Sequence, residues 1–157
     1  MSHDAFAIYL NDHLAGSHLA IDLLEHLIET GDDPRERGEL DQLLGEIRED
    51  QALVRRLQQD LAVSESPLKR AGAWLAERLA ELRLRMGKDA ALQRLESLEM
   101  LGLGIQGKAA LWRALNEVAD RHAPLRSLDL LRLEQRAIDQ FQRADALRLA
   151  AARAALA

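Results

Sequence analysis

Leu40, Leu43, Ile47, Val54, Leu57 and Leu61 recur along one stretch at intervals of three, four and seven residues. An α-helix turns once every 3.6 residues, so this spacing lays one apolar stripe along it. A strand alternates with period two and would scatter the same residues over both faces. The pattern therefore demands a helix, and a second apolar surface to bury it against.

Similar stripes recur in five segments divided by helix breakers. The first covers about residues 4–30 and stops at "TGDDP". There Asp33 is suited to cap the next helix, with Pro34 at its first position. That second segment runs to about 62 and ends at "VSESP". A shorter helix is expected over about 67–86, through "AWLAERLAELRLRM". The fourth begins near Asp89 and runs to the break at "RHAPLRS", and the last runs from about 127 into "LRLAAARAALA". Aromatics make up only 3% of the chain, which further disfavours a β-sandwich. The expectation is an all-α protein, a single domain over residues 1–157: an antiparallel four-helix bundle with the shorter helix in its crossover. An up-and-down bundle with one extra helix is the alternative.

The absence of cysteine excludes disulfides, thiolate metal sites and cysteine nucleophiles. Twenty-one basic against 26 acidic side chains give a net charge of −5, which argues against nucleic acid as a partner. No apolar run reaches the roughly 20 residues of a membrane span, and "MSHDAFAIYLNDHLAGS" does not read as a secretory signal. A cytoplasmic protein is expected.

"GLGIQGK", Gly102 to Lys108, has the G-x-G-x-x-G spacing of a phosphate-binding loop. Such a loop needs a strand before its glycines, but "LQRLESLEML" precedes them with a helical pattern. The stretch reads instead as a packing groove in a helix, with Gly102, Gly104 and Gly107 leaving space and Trp112 further along. Three glycines cost a helix roughly 3 kcal/mol relative to alanine, so a kink or local widening is expected here.

Polar residues placed within apolar stripes are the candidates for chemistry, because a buried charge is costly unless paired. His13 and Ser17 lie among Phe6, Leu10, Ile21, Leu24 and Ile28, and Asp50 lies between Ile47 and Val54. Counted outward from the turn near residue 32, His13 and Asp50 share a layer, which predicts a contact between them. Glu99 flanks the fourth helix face, and Glu134 and Asp145 fall on the fifth. His18 and His26 fall on the polar side of the first helix, and His122 at the end of the fourth, where a cation complements the helix dipole. Trp74 and Trp112 are expected as core or interface anchors.

The helix order with inward-facing acids, together with "LESLEMLGLGIQGKAALWRAL" (Leu95 to Leu115), resembles uncharacterised bacterial ferritin-like proteins. Di-iron members of that superfamily carry Glu-x-x-His on two helices. None occurs here: the residues three after Glu46, Glu96 and Glu134 are Glu49, Glu99 and Ala137. The resemblance therefore implies the fold without the standard metal centre and without a cofactor. No catalytic set is evident, and the expected mode of action is protein association, as a homodimer or with an unknown partner. The alternative is a metal-binding or metal-dependent oxidoreductase that holds iron or manganese through His13, Asp50, Glu99 and Glu134.

Overall fold

The computed structural model describes residues 2–61, Glu77 and 89–157. Four long helices make up the bundle: α1 (Ser2–Thr30), α2 (Pro34–Asp60), α3 (Ala90–Asn116) and α5 (Leu130–Leu156). A 3₁₀ turn at Ala119–Arg121 and the one-turn α4 (Ala123–Arg126) connect α3 to α5. No strand occurs among the described residues. The short helix expected over 67–86, and Trp74 with it, lie outside them.

The helix starts follow their caps. Asp33 accepts a hydrogen bond from the Arg35 N–H at 2.9 Å, with Pro34 just inside the helix. Asp89 accepts from Ala91 and Leu92, and Asp129 from Arg132. Each side chain satisfies donors that the first turn leaves unpaired. The fourth predicted segment ends earlier than its periodicity suggests. α3 stops at Asn116, so His122 is no helix-terminal cation; it precedes α4 and its ring lies 5.0 Å from that of Phe6.

Two apolar clusters fix the topology. One gathers Leu24 and Leu27 from the end of α1, Leu40 and Leu43 from the start of α2, Leu98 and Leu101 from the first half of α3, and Ala144 and Ala151 from α5. The other gathers Leu10 and Leu14, Val54 and Leu57, Leu111, Trp112 and Leu115, and Leu130 and Ala137. Thus α2 and α3 start at the same end of the bundle, where α1 and α5 finish. The order is up, down, down, up, with the end of α2 and the start of α3 at opposite ends of the bundle. α1 packs along α2 and α3, α3 packs closely along α5, and α2 approaches α5 at fewer points. Each of these neighbouring pairs is antiparallel.

α3 is an unbroken α-helix through Gly102, Gly104 and Gly107. The phosphate-loop geometry is not formed, and the expected kink or widening does not take the form of a break. Apolar burial from the neighbouring helices outweighs the weak helix propensity of glycine here, as tertiary packing does for most helices in folded proteins.

Candidate functional site

Between the two apolar clusters lies a polar waist. On α2, Asp50 stands between Ile47 of the first cluster and Val54 of the second. On α3, Lys108 stands between Ile105 and Leu111, and on α5, Gln140 stands between Ala137 and Ala144. These three side chains meet. Lys108 Nζ donates to Asp50 Oδ2 at 2.6 Å and also to Gln140 Oε1. Gln140 Nε2 donates to Glu46 Oε2 at 2.9 Å and to Asp50 Oδ2 at 3.3 Å.

The network continues across the seam between α2 and α5. Arg136 Nη2 donates to Glu49 Oε2 at 2.6 Å, and its Nη1 lies 3.7 Å from Asp50 Oδ1. Arg143 Nη2 donates to Glu46 Oε2 at 2.5 Å. Long arginine and glutamine side chains fill the distance that these two backbones leave. Side chains of Asp50 and Lys108 are only 4% and 14% exposed, so neither charge is tolerable there without the other.

The surroundings set the proton affinities. Burial pulls the Lys108 ammonium below its ordinary value, and the charge and hydrogen bond of Asp50 work against that. Burial pushes Glu46 up, but the bonds from Gln140 and Arg143 and the charges of Arg143 and Arg136 more than offset it, so its carboxyl sits below the usual value. Burial lowers His13, with Asp12 opposing.

A cavity of about 170 Å³ opens beside this waist, between α1, α2 and α3. Its walls include Leu14, Ala20, Ile47, Val54, Ile105 and Leu111, and Asp50 and Lys108 also border it. Gly16 of α1 and Gly104 and Gly107 of α3 line it as well, and a Cβ built on any of the three meets nothing within 4 Å. Gly102 differs: its Cβ would lie 3.4 Å from Phe141 Cε2. The residues of the predicted packing groove are therefore placed differently. Gly102 accommodates a neighbour, Trp112 is wholly buried in the second cluster, and Gly104 and Gly107 leave room unfilled.

Two of the four metal candidates come together at this cavity, His13 and Asp50, and they share the predicted layer. No hydrogen bond joins them. Asp50 bonds Lys108 and Gln140, while the His13 ring meets that of Tyr9 edge-on, centroids 4.7 Å apart. Ser17, the other polar residue of that stripe, accepts from Gln51 Nε2 at 2.8 Å. The remaining two candidates lie elsewhere. Glu134 accepts from Arg113 Nε at 2.7 Å, and Glu99 is 62% exposed with Arg148 at 3.9 Å. Asp145 accepts from Arg148 on its own helix. Among the described residues no three histidines or carboxylates gather to hold a metal ion.

Lys108 and Gln140 went unnoticed in the periodicity, yet a signal was there. Leu101, Ile105, Lys108, Trp112 and Leu115 follow one another at steps of three and four, as do Ala137, Gln140 and Ala144. Each polar residue occupies a position on a buried stripe.

Among the described residues no helix is long and apolar enough to cross a membrane. No family model matches this chain, and neither the curated proteins nor the solved structures return a match.

Proposed function

We propose that this chain is a small-molecule-binding helical bundle whose site is the cavity between α1, α2 and α3, with Asp50 and Lys108 as its polar floor. One observation carries this reading. Three helical glycines, Gly16, Gly104 and Gly107, border the cavity where a side chain would fit. Alanine at each would favour the helix by about 1 kcal/mol, so helix propensity does not select them. Gly38 and Gly45 of α2 also meet nothing within 4 Å but do not border the cavity. It is therefore the place of these three on its wall that supports the reading, and bundles commonly build ligand sites between facing helices.

The order up, down, down, up supports a ferritin-like ancestry for the bundle. In such a bundle carboxylates in the waist ordinarily call for metal cations. Here the ammonium of Lys108 meets Asp50, and Arg136 and Arg143 meet Glu49 and Glu46. This internal neutralisation favours binding over iron or manganese chemistry. Elemental analysis of the purified protein tests the metal alternative: stoichiometric metal lost in Asp50→Ala would establish it.

Fragment screening by ligand-observed NMR tests the main reading. Small apolar fragments should bind the native chain and fail to bind Gly104→Leu, whose side chain would occupy the cavity. Equal binding to both proteins would refute the site.

Association through outer faces is the second reading. Ile8, Leu103, Leu131 and Leu156 are each more than half exposed, apolar side chains that a homodimer would cover. Sedimentation equilibrium decides it; a monomer at all concentrations would refute it.

A further inference from the structure

An ammonium carries three N–H donors. Lys108 gives one to Asp50 Oδ2 and one to Gln140 Oε1, and among the described residues the third has no acceptor. If the cavity is a ligand site, on which the following step rests, that third donor is its polar handle. Ser17, also at its edge, is engaged: it donates to the Leu14 carbonyl and accepts from Gln51.

Charge narrows the ligand further. The network holds three cations, Lys108, Arg136 and Arg143, and three anions, Glu46, Glu49 and Asp50, so its formal charge is zero. A carboxylate entering the cavity would add a negative charge beside Asp50 with no counter-ion. An amine cation would do the same beside Lys108. Both face the penalty of an unpaired charge away from water. An uncharged oxygen accepts the free N–H and leaves the balance intact. His13 borders the cavity too, and its depressed basicity keeps it neutral near pH 7, while Asp12 at the rim is solvent-exposed. Size sets the rest: about 170 Å³ is close to the roughly 150 Å³ apolar void that accommodates benzene.

We propose that the cavity binds an uncharged, largely apolar molecule about one six-membered ring in size, bearing a single carbonyl or hydroxyl oxygen that accepts the third N–H of Lys108.

The test titrates the full ¹⁵N-labelled chain with three probes of matched size: acetophenone, toluene and benzoate. Acetophenone should bind about tenfold or more tighter than toluene, the expected gain from a hydrogen bond to a charged donor, and benzoate should bind weakest. In Lys108→Met the preference of ketone over toluene should vanish. Since that variant strands Asp50, Asp50→Asn/Lys108→Met carries the same comparison in a neutral background. Gly104→Leu leaves the network in place and should abolish binding of all three. Equal affinity for acetophenone and toluene, or tightest binding of benzoate, overturns the ligand class while binding lost in Gly104→Leu leaves the site standing. No saturable binding of any probe overturns the site and the ligand class together.

Discussion

α3 presents two glycine-bearing faces that lie within two turns of each other, and the bundle treats them in opposite ways. Toward α5, Gly102 is met by the ring of Phe141, and Leu98, Leu101 and Ala144 complete a dry seam. Toward α1, Gly104 and Gly107 are met by nothing, and Gly16 on the facing helix widens the gap. The same residue type serves close packing in one case and vacancy in the other. Helix propensity is indifferent to which face a glycine is on, so the distinction comes wholly from the neighbour. A packed glycine is explained by its partner, whereas the unfilled ones at the rim of the cavity border the space assigned to a ligand in the proposed function.

The largest effect should come from breaking the ion pair that floors the open side. Asp50→Ala should cost about 3–5 kcal/mol in urea denaturation, because the Lys108 ammonium is left buried without its counter-charge. Asp50→Leu/Lys108→Met should recover most of that loss, since hydrocarbon of similar volume replaces both charges. Failure of the double variant to recover would mean that Arg136 and Gln140 depend on Asp50 more than this geometry indicates.

On the filled side, Gly102→Leu should destabilise by about 1–3 kcal/mol, because a Cβ there already reaches 3.4 Å from Phe141 Cε2 and the larger side chain must displace that ring. The open side should respond with the opposite sign. Gly104→Ala and Gly107→Ala should each stabilise by up to about 1 kcal/mol, with nothing within 4 Å to oppose the added methyl. Thermal melting of the three variants side by side measures the contrast directly. Equal shifts at Gly102 and Gly104 would erase the distinction between the two faces.

Acid sharpens the picture with a smaller change. Glu46 has its folded proton affinity held below the ordinary 4.5, so it binds fewer protons folded than unfolded. Its contribution is fully present above that value and is lost as the pH falls through the folded value. His13, lowered from 6.5 by burial, acts in the same direction: stability is lost as the pH falls below 6.5 toward the folded value. Unfolding free energy should therefore drop from pH 7 to pH 3.5. Glu46→Gln should flatten the portion below pH 5 and leave the portion near pH 6 unchanged.

Much of the site was readable before any tertiary contact was known. His13, Ser17 and Asp50 stood out as polar residues on apolar stripes, and His13, Ser17 and Asp50 all border the cavity. Lys108 was readable by the same logic, one step along from Ile105, but its adjacency to three glycines drew it into the phosphate-loop question instead. Glu99 and Glu134 do not line the cavity: each pairs with an arginine, Glu99 with Arg148 and Glu134 with Arg113, and a stripe alone does not say which neighbour a carboxylate will find.

Periodicity, breakers and capping residues by themselves determined the long helices, nearly all of their boundaries and which faces turn inward, since these depend on contacts within a few residues along the chain. Which helix meets which was decided only in three dimensions. A stripe records that a side chain is buried, not what lies opposite it. That is why Asp50 could be singled out as needing a partner, while the identity of that partner, a lysine 58 positions away on α3, waited on the packing of the bundle.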